Sequence, residues 1–190
     1  MEAYAQPETY SVKRTAYCPS NHLPVLIYRG VLGDSIDEET ASDKLQRHGW
    51  VKKGTWGTIK LKHFHPNTHE CYGIFQGSSE LVFGEGTSDP KGSGVTCNVK
   101  AGDVVVVPAG VAHASTPEAK EDTEAEYRYI GVYPEDSPHY LSELGKKDLE
   151  EKAGLIEEVA AVPVPPQDPL YGRSGPLVTI WKSATGYSVE

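Results

Sequence analysis

From Trp50 to Tyr133 the chain breaks into short runs of β-branched and aromatic residues, separated by loops rich in Gly, Ser, Asp and Pro. That punctuation constrains the fold more than any other feature. Runs at Glu70 to Gln76, Glu80 to Phe83, Val95 to Val99, Val104 to Val107 and Glu126 to Tyr133 read as strands, and the longest intervening loop runs from Gly84 to Gly94. Gly57 to His65 also reads as a strand: Ile59, Leu61, His63 and His65 share one face, while Thr58, Lys60 and Lys62 point the other way. An apolar run from Pro24 to Val31 precedes them. Many short strands joined by such turns predict an all-β fold, an antiparallel barrel or jelly roll.

The flanks add two helices and an edge. Asp37 to His48 reads as a short N-terminal helix, with acidic residues in its first turn, Lys44 and Arg47 in its last, and Gly49 following. Residues 137–153 read as a C-terminal helix with Leu141, Leu144 and Leu149 inward, although Gly145 weakens the pattern. Val162 to Pro166 is an extended segment, and Gly175 to Trp181 reads as a strand covering a sheet edge. The expected organisation of residues 1–190 is one domain. It comprises an arm over 1–22, a barrel core over 23–134, a helix over 137–153, and an extended segment with an edge strand over 160–182.

Composition narrows the function. Charged residues are 24% and hydrophobic residues 38% of the 190, the mixture of a soluble globular chain. A formal charge of −9 argues against nucleic acid as partner, whose phosphates require a basic surface. No apolar run is long enough for a membrane span, and Met1 to Pro7 lacks the basic start and apolar core of a secretory signal. Cys18, Cys71 and Cys97 have no CxxC spacing and are odd in number, which points to reduced thiols and a cytoplasmic protein.

Chemistry concentrates at His63, His65, Glu70 and His113. Two histidines one residue apart put both imidazoles on one face of a strand, a carboxylate opens the next run, and a third histidine follows another. Imidazole nitrogen and carboxylate oxygen converging from separate strands suit one divalent transition metal ion, Fe, Mn, Ni, Zn or Cu. Four protein ligands leave up to two positions open.

The spacing G-x5-H-x-H-x4-E-x6-G over Gly57, His63, His65, Glu70 and Gly77, followed by G-x5-P-x-G-x2-H over Gly102, Pro108, Gly110 and His113, resembles the two cupin motifs in order. Pro117 stands where the second motif often ends in asparagine. Stretches such as His48-Gly49-Trp50, Thr68-His69-Glu70 and Asp168-Pro169-Leu170-Tyr171-Gly172 are similar to a subgroup of small stand-alone cupins found in bacteria and fungi, a likeness covering most of residues 23–182. The resemblance implies a double-stranded β-helix, a metal between two sheets held by His63, His65, Glu70 and His113, and a homodimer. It names no reaction, because cupins include dioxygenases, decarboxylases, isomerases, dehydratases and proteins without catalysis.

Neighbouring residues extend the site. His69 has three open readings: a partner to a ligand from outside the cage, a replacement for Glu70, or a solvent-facing side chain, with strand phase opposing ligation. Cys71 should be a buried structural thiol. Tyr72 shares the phase of Glu70 and could orient a substrate; a core aromatic is the plainer reading. Along Tyr127 to Tyr133 either the tyrosines or Arg128 with Ile130 and Val132 face inward, and an inward Arg128 would anchor a carboxylate. Trp56 could cap the barrel mouth, and Glu118 to Glu126 reads as a solvated loop. The expected function is a metal-dependent enzyme on a small oxygenated molecule, with Glu70, Tyr72 and Arg128 as catalytic candidates. The alternative is a non-catalytic module binding a small ligand with a structural metal.

Overall fold

A computed structural model describes residues 4–116 and 126–186. In chain order the strands are β1 (Glu8–Tyr10), β2 (Val25–Tyr28), β3 (Trp50–Trp56), β4 (Glu70–Gln76), β5 (Ser78–Phe83), β6 (Val95–Lys100), β7 (Val104–Val107), β8 (His113–Ser115) and β9 (Arg128–Pro134). Helices are α1 (Glu38–Leu45), α2 (Leu155–Ala160) and α3 (Pro176–Ala184), with a 3-10 turn at Leu149–Glu151. One sheet has the order β1-β2-β7-β4-β9-β3 and the other β6-β5-β8, and all pairings are antiparallel. The chain is thus mostly β, as expected, and its two sheets form a jelly-roll barrel. Among the described residues no helix is long and apolar enough to cross a membrane.

The inner strands of the six-stranded sheet, β2, β7, β4 and β9, are buried on both faces for most of their length, which explains the unbroken apolar runs of β2 and β7. Val105, Val107, Ile27, Tyr72 and Ile74 pack inside the barrel with Leu81, Phe83 and Val99 of the smaller sheet. Val104, Val106, Leu26, Cys71, Ile130 and Val132 face the other way, into a second core closed by Leu45 of α1 and by Leu177 and Trp181 of α3. Burying both faces removes any reason for polar residues to alternate along β2 and β7. Strand β6 covers one face only, so Cys97 and Val99 are buried while Thr96, Asn98 and Lys100 are exposed. Gly73 in β4 admits α1: a Cβ there would lie 2.6 Å from Leu45 Cδ1.

Helix α1 forms where expected. Asp37 caps it by accepting from the Thr40 amide at 2.8 Å, with Glu38 and Glu39 in the first turn. The arm over 1–22 contributes β1, which pairs with β2.

Three expectations are overturned. The continuous strand from Gly57 to His65 is absent: β3 ends at Trp56, and only isolated bridges join His63 to His113 and Phe64 to Glu143. The helix over 137–153 is absent as well. Its backbone instead docks on neighbouring loops, with Glu143 pairing Phe64, and Leu144 and Gly145 carbonyls accepting from Thr87 and Ser88. Leu141 is 56% exposed rather than inward. Gly145 has a φ of 59°, outside helical geometry, and the helix forms later as α2.

The edge strand over Gly175 to Trp181 is instead α3. Pro176 sits in its first turn, a position where proline's missing N–H costs nothing. Asp168 accepts from the Leu177 amide at 3.0 Å, and burial of Leu177, Val178 and Trp181 against the outer core outweighs the strand propensity of Val178, Thr179 and Ile180. Pro117 and residues 118–125 of the expected solvated loop lie outside the described residues, and Glu126 at its end is exposed.

Candidate metal centre

Three separate backbone segments bring the cluster together. His63 and His65 lie between β3 and β4, Glu70 opens β4 opposite Val107, and His113 opens β8. His63 and His113 exchange backbone hydrogen bonds, His63 N to His113 O at 3.3 Å and His113 N to His63 O at 2.8 Å. The His65 carbonyl accepts from the Gly110 amide at 2.8 Å, within a turn where Gly110 has a φ of 77°. These bonds replace the missing strand ladder, so both histidines still face the barrel interior.

Each of the three imidazoles has one nitrogen held by backbone. His63 Nδ1 donates to Leu61 O at 2.9 Å, His65 Nδ1 to Leu141 O at 2.6 Å, and His113 Nδ1 to Val111 O at 3.0 Å. A ring that donates from Nδ1 presents an Nε2 lone pair when neutral. His65 Nε2 and His113 Nε2 lie 3.1 and 3.2 Å from Glu70 Oε2. The His63 ring stands 4.5 Å from His113 and 5.3 Å from His65, centroid to centroid. Glu70 Oε1 accepts from the Tyr133 hydroxyl at 2.6 Å.

This geometry fits a metal ion. One ligand atom from each of His63, His65, Glu70 and His113 lies within 4.8 Å of all the others. His65, Glu70 and His113 are buried, and His113 Nε2 has no hydrogen-bond partner. Lone pairs converging on a buried carboxylate repel one another unless a cation stands among them. A proton on one imidazole meets part of that need. Burial acts against it at His65, yet the hydrogen bond and charge of Glu70 leave the His65 pKa raised. Burial and the neighbouring imidazoles take His63 the other way, to about 4. Burial opposes ionisation of Glu70, but the facing imidazoles of His113 and His65 hold its carboxyl well below the usual range.

The remaining candidates divide between the two faces of the sheet. Tyr72 projects inward, its ring 5.9 Å from His113 and 4.2 Å from Tyr129. With His63, Leu81, Ser115 and Tyr129 these residues line a cleft of about 10 Å³, room for about one water centre. Arg128 does not join them. It shares the phase of Ile130 and Val132, and its charge acts on Glu38 of α1 on the outer side. The tyrosines of β9 take the inner face instead.

His69 is no ligand in this arrangement. Fully buried on the outer side, it accepts from the Ala109 amide through Nδ1 at 3.0 Å and donates from Nε2 to the Pro163 carbonyl at 3.2 Å. Its ring rests 4.7 Å from Trp181, and burial lowers its pKa to about 4. Cys71 is a buried free thiol, as expected. Trp56 lies over the inner face beside Tyr129, at 6.0 Å. A Cβ at Gly131 would meet it at 2.2 Å, so glycine is required for that approach.

Sequence reasoning passed over Tyr140 and Asn67, and left Tyr133 among the tyrosines of one of two open strand phases. Tyr133 was within reach, since it repeats the inward phase of Tyr127 and Tyr129. Tyr140 stacks on Tyr133 at 5.1 Å and meets the His65 ring at 5.3 Å. Asn67 fixes that segment by donating to His139 O at 3.0 Å and accepting from Leu141 N at 3.0 Å. No local pattern marks a contact between segments so distant in sequence.

A jelly-roll barrel with three histidines and a glutamate gathered between its sheets defines a class of β-barrel proteins. The family model described as cupin matches residues 53–125, a span containing all four clustered residues. Over that span the chain is similar to cupins. It is 29% identical over 163 residues to the uncharacterized protein YjlB of Bacillus subtilis strain 168, covering 85% of this chain and 88% of that one. Among solved structures, oxalate decarboxylase from Bacillus subtilis at pH 4.6 matches 66% of this chain and 28% of its own, with 21% identity and a TM-score of 0.34. A vicilin from Solanum melongena matches 55% of this chain and 27% of its own, with 15% identity and a TM-score of 0.35. This chain therefore spans little more than a quarter of the length of those two structures.

Proposed function

We propose that the protein is a metal-dependent enzyme acting on a small oxygenated organic molecule, with one divalent transition metal ion held by His63, His65, Glu70 and His113. The observation that carries this reading is the shared tautomer. Backbone carbonyls hold all three Nδ1 atoms, Nε2 of His65 and of His113 face a buried carboxylate, and His63 brings a ligand atom within 4.8 Å of them. When bound, such an ion supplies Lewis acidity toward a carbonyl, carboxylate or enol oxygen. The chain itself supplies orientation and exclusion of water. Tyr72, Tyr129 and Ser115 wall the cleft beside His63 and His113. Tyr72 positions that ligand in this reading, whereas Arg128, on the outer face, takes no part.

Metal analysis of untagged protein tests the proposal. We expect about one equivalent of a divalent transition metal per chain, falling to background in His63→Ala and His113→Ala. Wild-type protein that holds no stoichiometric metal after exposure to Fe, Mn, Ni, Zn and Cu would refute it. Turnover of a broad panel of small carbonyl and enol compounds, with and without oxygen, separates an oxygenase from a lyase or isomerase. Bound metal with no turnover on any of them returns the protein to the binding-module reading.

A further inference from the structure

Glu70 has two carboxylate oxygens, and the cluster uses them differently. Oε2 faces His65 Nε2 at 3.1 Å and His113 Nε2 at 3.2 Å, while Oε1 is occupied by the Tyr133 hydroxyl at 2.6 Å. A hydroxyl donating to a carboxylate at that distance is among the stronger hydrogen bonds in proteins. The Tyr133 side chain is also confined. Its backbone is paired with Val51 in the β3–β9 ladder, and its ring is 2% exposed. One side of the ring stacks on Tyr140 at an interplanar angle of 13°, and its edge meets His65 at 5.9 Å. Tyr140 in turn lies on the segment that Asn67 clamps and that supplies the Leu141 carbonyl to His65.

We propose that Tyr133 is a positioning residue that reserves Glu70 Oε1 for itself and so makes Glu70 a ligand through Oε2 alone. This inference rests on the metal reading above and adds to it a control over the number of open positions. Carboxylates bind metals through one oxygen or two. With one oxygen from Glu70 and three imidazoles the protein supplies four donors, and an octahedral ion keeps two positions for exogenous molecules. With both oxygens it would supply five and keep one. The Tyr133 hydroxyl therefore decides whether two small ligands, or a chelating pair of oxygens on one substrate, find room together.

Tyr133→Phe removes the hydroxyl and retains the ring that stacks on Tyr140. Wild type and variant are loaded with Co(II), their visible absorption spectra are compared, and each is titrated with azide. We expect an altered Co(II) spectrum, azide affinity reduced about tenfold or more, and Co(II) affinity changed by about 10- to 100-fold, the range for a lost partner of a metal ligand. An unchanged spectrum with unchanged azide affinity overturns the role of Tyr133 while leaving the metal site standing. Wild type that takes up no Co(II) overturns the metal reading and this inference with it. Should the variant fail to fold, a crystal structure of the Co(II)-loaded wild type decides. Oε1 on Tyr133 upholds the assignment, and both Glu70 oxygens on the ion overturn it.

Discussion

Glu70 and His69 are neighbours in sequence and opposites in chemistry. Glu70 faces the barrel interior with three imidazoles, and its charge meets groups that need a cation. His69 faces the outer core, where an amide and a carbonyl consume both of its nitrogens. Both are buried, at 4% and 1% exposure, so burial does not tell them apart. The difference lies in what remains after the backbone has been satisfied. His63, His65 and His113 each give one nitrogen to a carbonyl and keep the other, whereas His69 keeps none. A histidine serves as a ligand when its second nitrogen is left over in the right place.

That contrast can be broken most directly on the outer face. His69→Leu strands the Ala109 amide and the Pro163 carbonyl in an apolar core, and should cost about 3 kcal/mol in denaturant unfolding. The folded fraction should still bind metal in full stoichiometry, whereas loss of metal in folded His69→Leu would erase the distinction between the faces. Stripping the metal by chelation probes the inner face without mutation. Relative to a free metal concentration of 100 times Kd, removal should cost about 2.7 kcal/mol of stability. An unfolding midpoint that chelator leaves in place would mean that no ion links to the fold. The smallest effect belongs to Arg128→Gln, which lies on the outer side near Glu38. It should change stability by no more than about 0.5 kcal/mol and leave metal content unaltered; a large loss of bound metal would show that Arg128 reaches the inner face after all.

The parts legible in the chain are those where one local rule acts alone. β4 and β7 begin and end where their apolar runs do, and α1 announces itself through Asp37 and its acidic first turn. The four clustered residues stand out by type and spacing before any contact is known. Where two rules compete, the local one fails. Gly175 to Trp181 has strand-forming residues and a proline suited to a helix start, and the outer core decides for the helix. Residues 137–153 have helical spacing in places, but bonds to Phe64, Thr87 and Ser88 outweigh what an isolated helix would gain. The choice between Arg128 and the tyrosines of β9 turned on phase, and either phase satisfies alternation until the covering α1 is in place.

By itself, the sequence determined a β-rich barrel and the identity of the residues able to hold a metal. Short apolar runs, turn residues and ligand types act over a few positions each, so they survive without knowledge of the rest. Only the tertiary structure decided which atoms those residues present. The carbonyls of Leu61, Leu141 and Val111 choose the imidazole tautomers, and Tyr133 chooses between the oxygens of Glu70. The carbonyl of Leu141 and the hydroxyl of Tyr133 come from distant segments. A hydrogen bond depends on distance and direction in space, which spacing along a chain does not encode.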